Sequence, residues 1–396
     1  MIRDLNATDL YGLSRLTVQA VTGTTDLVEQ LHHTIARVSA PVGRASGGRT
    51  RGITGLVYGS IRGVTGLVGT SLDLAYRHLP RGEPLTSSQR REKLLSVLNG
   101  VLGDHLEASA NPLAIPMRLH HRGQALELDQ TTLASSIAQP TSRLLIAIHG
   151  LCLNHQCWTP GQGSHDIDMP TRLSAEHGFT DLHLHYNTGR AIARNGRDLA
   201  TLLERLLACW PVPVEEVVLL GHSMGGLVSR SACHYGCESG HRWPERLRRM
   251  IFLGSPHHGS PLERAGHGLE RLLGISPYSA PFQRLGRIRS AGITDLRHGR
   301  VIEADVDTSP GHSLPRLPGH VVLHSIAATR AERADHFSAR LIGDGLVPVS
   351  SALGHHRDPA RCLPIAPEYQ HILPATNHIA LLHHPDAFLT VKRWLA

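Results

Sequence analysis

The hydrophobic pattern of this chain changes its period near residue 110. Up to that point apolar residues recur at helical spacing, with one break at 40–50, a stretch rich in glycine, serine and arginine. Inside this part Arg51-Gly52-Ile53-Thr54-Gly55-Leu56-Val57 recurs eleven residues later as Arg62-Gly63-Val64-Thr65-Gly66-Leu67-Val68. Eleven residues close three helical turns, so Ile53, Leu56, Val57, Ile61, Val64, Leu67, Val68 and Leu72 fall on one stripe. Glycines 52, 55, 63 and 66 weaken such a helix by about 1 kcal/mol each against alanine when it stands alone. It therefore needs a partner: the rest of the protein's own chain, a second subunit, or a hydrophobic surface met through 51–72.

From Asn111 the texture becomes α/β. Ala114–His120 and Gln124–Leu128 read as a strand pair, and Leu144–Ile148, Asp181–Tyr186, Val217–Leu220, Met250–Leu253, Val321–Ile326 and Tyr369–Leu373 read as buried strands. Helical segments stand between several of them, notably Asn195–Trp210 with apolar positions at 199, 202, 203, 206 and 207. This alternation predicts an α/β fold with a mostly parallel, doubly wound sheet. The expected organisation is a helical amphipathic N-terminal extension over 1–110 and an α/β domain over 111–396. The connection between the strands at 250 and 321 is too long for an ordinary loop and predicts a helical lid over about 262–318.

The strand at 217–220 runs into Gly221-His222-Ser223-Met224-Gly225 and then a helix-like segment. A Gly-x-Ser-x-Gly turn between strand and helix exposes the serine Oγ, and a Cβ at Gly221 or Gly225 would crowd the backbone as it doubles back. Ser223 is thus the candidate nucleophile. Open parallel sheets bind ligands beyond the carboxyl ends of their strands, so its helpers are sought just after strands. Asp344, between Gly343 and Gly345, is the candidate carboxylate. His378, after the last strand, is the candidate base, with His371, His383 and His384 as competitors. The order Ser, Asp, His is the one expected of this fold type. Oxyanion donors are expected from the backbone N–H of Met224 and from the turn after Leu144–Ile148, where Leu151 is the candidate and Cys152 the alternative.

Composition narrows the rest. Hydrophobic residues make up 41%, enough for a large core, but aromatics only 4%, so aliphatic side chains fill it. Of the basic residues behind the formal charge of +7 only Lys93 and Lys392 are lysines, and no run of five basic residues occurs, which argues against nucleic acid. The 29 histidines fall as scattered pairs without the spacing of a zinc helix, so no metal is expected. The six cysteines form no CxxC pair, and no basic-then-apolar leader is visible at the N-terminus, which predicts reduced thiols and a cytoplasmic protein. Oligomeric state is not legible.

His149-Gly150-Leu151, Gly221-His222-Ser223-Met224-Gly225-Gly226, Gly254-Ser255-Pro256-His257-His258-Gly259-Ser260 and Gly343-Asp344-Gly345-Leu346-Val347 together resemble the bacterial lipase/esterase branch of the α/β-hydrolase superfamily. Tyr186-Asn187-Thr188-Gly189 and Asn195-Gly196-Arg197 are similar to that branch as well. The resemblance spans roughly 111–396 and implies hydrolysis of carboxylic esters by Ser223, Asp344 and His378 without a cofactor. It directs His149, Gly150, His222, His257 and His258 to the substrate pocket, with the lid hinge as the alternative for His257 and His258. Hydrophobic acyl esters, including lipids or aliphatic polyesters, are the expected substrates. An acyltransferase with the same triad, a phospholipase-type deacylase and a non-catalytic binding module are the alternatives.

Overall fold

The central strands are apolar at nearly every position because both faces of the sheet are covered. Along β3 (Arg143–Ile148), Leu144, Ile146 and Ile148 enter one core and Leu145 and Ala147 the other. β5 (Glu216–His222) divides likewise, with Val217 and Leu219 on one side and Val218 and Leu220 on the other. In the computed structural model of the protein the described residues are 6–38, 52–78, 88–160, 167–260, 290–303, 315, 317–332 and 343–396. The expected break at 40–50 and most of the expected lid at 262–318 lie outside them.

Eight strands form one sheet in the order β2-β1-β4-β3-β5-β6-β7-β8. These are β1 (Arg118–His121), β2 (Gln124–Ala125), β3, β4 (Thr180–His185), β5, β6 (Leu247–Leu253), β7 (Val322–Ala328) and β8 (Gln370–Leu373). β1 pairs antiparallel with β2 and β4, and all the other pairings are parallel. The order reverses between β3 and β5, which opens a crevice beyond their carboxyl ends. Strand positions follow the sequence closely except at β1 and at β2, which ends at Ala125 and not at Leu128. The strand expected from Ala114 begins only at Arg118, because asparagine side chains take the preceding backbone donors. Asn111 Oδ1 accepts from Leu113 N–H (3.0 Å) and Asn99 Oδ1 from Ile115 N–H (2.9 Å).

The helices are α1 (Ala7–Val38), α2 (Gly52–His78), α3 (Gln89–Ala108), α4 (Gln130–Ser136), α5 (Met169–His177), α6 (Ile192–Cys209), α7 (Met224–Glu238), α8 (Trp243–Arg246), α9 (Ala291–His298), α10 (Val349–Ala352) and α11 (Pro385–Leu395). α6 buries Leu199, Leu203 and Leu206, the face its periodicity predicted. Leu173 of α5 and Phe388 and Val391 of α11 belong to the core on the opposite face of the sheet.

The chain divides into two compact units, one of residues 1–91 with 106–114, the other of 92–105 with 115–396. The expected boundary near 110 therefore moves: most of α3 belongs with the sheet. The reason is close backbone approach. Asn187 Nδ2 donates to Gly103 O (2.9 Å) and Ser290 Oγ to Gly100 O (2.7 Å), and a Cβ on Gly103 would lie 1.8 Å from Asn187 Oδ1. Gly103→Ala is expected to destabilise this unit by about 2 kcal/mol, as overpacking does. A thermal melt within roughly 1 °C of wild type would contradict that seat.

In the other unit α1 and α2 form a hairpin. Tyr11 stacks on Tyr76 at 4.0 Å between ring centres, and Tyr11 Oη donates to Asp73 Oδ1 (2.5 Å). Arg62 pairs with Asp26 (3.0 Å) and Glu29 (2.5 Å). No helix among the described residues is long and apolar enough to cross a membrane.

Candidate active site

The turn from β5 to α7 holds Ser223 at φ 54°, ψ −122°, a backbone conformation that side chains other than glycine's seldom adopt. Packing enforces it. Ser223 N–H donates to Leu253 O (2.8 Å) at the end of β6, and Gly226 N–H donates to Ser223 O (3.1 Å). A Cβ on Gly225 would fall 2.1 Å from Ile148 O, so only glycine lets α7 start this close to β3. Such strained residues cost about 1–3 kcal/mol and persist where the surroundings over-determine them.

Asp344 and His378 are brought together. His378 Nδ1–H donates to Asp344 Oδ2 (2.7 Å), with both side chains buried. Asp344 Oδ1 accepts from the N–H groups of Leu346 (2.9 Å) and Val347 (2.8 Å), which fix the carboxylate plane. Since Nδ1 carries the proton, the buried Nε2 is left with a lone pair and no partner among the described residues. Two contacts tie the pair to residues near the Ser223 turn. His222 Nε2–H donates to His378 O (3.0 Å). Gly254, next to Leu253, is so close to the pair that a Cβ there would lie 3.2 Å from Asp344 Oδ2 and 3.3 Å from His378 Cε1. The competing histidines are engaged elsewhere. His371 pairs with Ile326 in the sheet register, His383 Nδ1–H donates to Ile167 O (3.2 Å), and His384 caps α11 by accepting from Asp386 N–H (3.1 Å).

Across the crevice, the turn after β3 approaches the serine. A Cβ on Gly150 would lie 2.9 Å from Ser223 Cβ and 3.1 Å from His222 Nδ1. In that turn Cys152 N–H donates to Thr188 Oγ1 (3.2 Å), while Leu151 N–H has no acceptor among the described residues. Met224 N–H is at the first position of α7, where a helix offers no carbonyl to its own N–H groups.

The histidines expected in a substrate pocket have other surroundings. His222 is fully buried beneath His378 (4.8 Å between ring centres), and burial, then the nearby His378, holds it neutral. His257 is buried against Phe252 and its Nδ1 accepts from Arg230 (3.2 Å). His258 Nε2–H donates to Gly354 O (3.1 Å). None of these three rings is hydrogen-bonded to the side chain of Ser223, Asp344 or His378. His149 Nδ1–H donates to Gly150 O (2.9 Å) and its ring stacks on Tyr186 at 4.5 Å.

Sequence reasoning missed that His149 borders a cluster formed by β1, β4 and the short turn His155–Trp158. His120 stacks on His155 at 3.8 Å, and His155 meets His185 edge-on at 4.8 Å. No three metal-ligating side chains among the described residues are arranged to hold an ion. Burial first, then repulsion from nearby positive groups (Arg118 and His183 at His120, His120 at His149 and His155), lowers His120 to about 4, His149 to about 4 and His155 to about 3. Their pKa values in the fold lie below the unfolded value of about 6.5, so their full contribution to stability is present above pH 6.5. It falls as the pH drops toward 4, by about 1.4 kcal/mol per pH unit for each ring that protonates only on unfolding. The melting temperature is therefore expected to decline from pH 7 to pH 5; a flat profile would contradict neutral rings.

The opposite end of the sheet is built differently. There Glu216 bridges Arg143 (2.7 Å) and Arg249 (2.5 Å) in an open groove of about 470 Å³, a charge network with no nucleophile.

Among known proteins, residues 180–356 match the family model of the PGAP1-like alpha/beta domain. No curated protein matches the sequence. Similar solved structures include the mature lipase BlEst2 of Bacillus licheniformis, at 18% identity and a TM-score of 0.44, over 66% of this chain and 95% of that one. Phospholipase PlaB of Legionella pneumophila aligns at 15% identity and a TM-score of 0.40, over 64% of this chain and 60% of that one. A thermophilic esterase from Thermogutta terrifontis aligns at 16% identity and a TM-score of 0.38, over 71% and 93%.

Proposed function

Taking the α/β-hydrolase fold of this chain as the premise, we propose that it is a serine hydrolase of carboxylic esters. The observations that support the reading are the strained turn at Ser223 and the His378–Asp344 pair, linked to that turn by the His222 bond to His378 O. His378 Nε2 takes the proton of Ser223 Oγ as Oγ attacks the ester carbonyl. The imidazolium is stabilised by Asp344, and the tetrahedral oxyanion is received by the N–H groups of Leu151 and Met224. His378 then protonates the leaving alcohol, which leaves an acyl-enzyme on Ser223. Water, deprotonated by the same nitrogen, attacks the acyl carbon, and the acid departs as Oγ regains its proton.

Engagement of the Cys152 N–H by Thr188 supports Leu151 as the donor in that turn. Gly150→Ala would push the turn away from Ser223 and is expected to lower kcat by about 10²–10³, the cost of one oxyanion donor. Steady-state kinetics on a soluble ester checks this; a fall of less than about threefold would place the donor elsewhere.

Hydrophobic acyl esters fit an enzyme whose N-terminal part carries a long aliphatic stripe. Hydrolysis of p-nitrophenyl esters of increasing acyl length tests this: rates should rise with length through the medium chains, and a preference for acetate would overturn it. Adding alcohols to the same assay distinguishes a hydrolase, which yields free acid, from an acyltransferase, which yields the new ester.

A further inference from the structure

α2 wears its amphipathicity inside out. The half-buried residues of its described part are Tyr58, Arg62, Thr65, Gly69, Asp73 and Tyr76, a stripe of polar, glycine and tyrosine positions. Their partners are on α1. Arg62 meets Asp26 and Glu29, Asp73 accepts from Tyr11, Tyr76 bonds Thr8 (3.1 Å), and a Cβ on Gly69 would lie 3.3 Å from Val18. The apolar face points the other way. Leu56 is 71% exposed, Leu67 68%, Val64 63% and Leu74 58%, and Val57, Ile61, Val68 and Leu72 are exposed with them. At 100° per residue these positions fill an arc of about 160° and run about 27 Å along the helix. Beyond α2, the exposed large apolar residues are only Leu10, Val21, Val322 and Leu389 among the described residues.

From this arrangement we infer that α2 docks the protein onto an anionic lipid bilayer, lying in the plane of the interface with its aliphatic face in the headgroup–acyl boundary. Charge supports the choice of occupant. Residues 1–91 contain eleven arginines and six acidic side chains, so they carry +5 of the chain's formal +7. The arginines bracket α2 in sequence: Arg44, Arg49 and Arg51 precede the stripe and Arg77 and Arg81 follow it, with Glu83 the single acid among positions 74–87. No charge falls within the exposed arc. An uncharged, mostly aliphatic arc flanked in sequence by arginines suits a surface of acyl chains rimmed by anionic headgroups. A seam between two copies needs a narrower stripe, and an arc of about 160° would leave much of its apolar area outside a two-helix contact. The lipid surface proposed here does not depend on the ester-hydrolase reading.

The full chain should float with vesicles of phosphatidylglycerol and phosphatidylcholine in equal parts. It should float about tenfold less with phosphatidylcholine alone. Leu56→Glu combined with Leu67→Glu should abolish flotation and leave hydrolysis of dissolved p-nitrophenyl butyrate unchanged. If that variant fails to fold, Leu56→Ser with Leu67→Ser should still lower binding by at least about tenfold. Ser223→Ala should float like wild type, so a failed esterase assignment and a failed docking assignment give different results. A wild-type chain that does not float overturns the proposal. So does a stripe variant that floats normally, or one that turns a non-floating wild-type dimer into a monomer in sedimentation, which would assign the stripe to a second copy.

Discussion

Ser223→Ala is expected to lower kcat on a soluble ester by roughly five to six orders of magnitude, since removing the nucleophile disables the whole relay at once. The same position allows a second readout. Ser223 is held at φ 54°, ψ −122°, which glycine adopts freely and alanine does not. Ser223→Gly should therefore be as inactive as the alanine variant yet more stable than wild type by about 1 kcal/mol, the strain released. Activity assays and thermal denaturation of both variants separate the two effects. A glycine variant that is both inactive and less stable would mean the turn is not strained as described.

Asp344→Asn should reduce kcat by about 10⁴ with little change in fold. The substituted amide could keep its carbonyl oxygen on the N–H groups of Leu346 and Val347, which now donate to Asp344 Oδ1. Its NH₂ group would then face His378 Nδ1, and that nitrogen would have to accept. The proton would move to Nε2, which could no longer take one from Ser223. The variant should react slowly with fluorophosphonates, whereas Ser223→Ala should not react at all. Equal activity of Asp344→Asn and wild type would remove the carboxylate from the mechanism.

The sheet was legible because its strands are short apolar runs between turn residues, a pattern that burial on both faces produces directly. The pairing of Asp344 with His378 was legible for a related reason: strand ends are marked in sequence, and residues that follow them meet at one edge of the sheet. The start of β1 was not, because side chains of Asn99 and Asn111 satisfy backbone groups that a strand would otherwise pair. The place of α3 was hidden too. Gly100 and Gly103 lie almost one turn apart, a spacing that signals close approach only once a partner backbone is known. The surroundings of His222, His257 and His258 have no local sequence signature: they are set by burial, by carbonyl acceptors for His222 and His258, and by Arg230 as donor to His257. The stripe on α2 was legible as a stripe; that its polar face would be the one turned to α1 depends on Asp26, Glu29 and Tyr11, far away in sequence.

The central claim is that Ser223 Oγ forms the covalent bond to the acyl group. Treating the full chain with a fluorophosphonate and measuring intact mass, followed by peptide mapping, tests it directly. The account requires a single adduct on Ser223, loss of ester hydrolysis in step with labelling, and no adduct on Ser223→Ala. An adduct on another residue, or hydrolysis that persists at full labelling of Ser223, would contradict it.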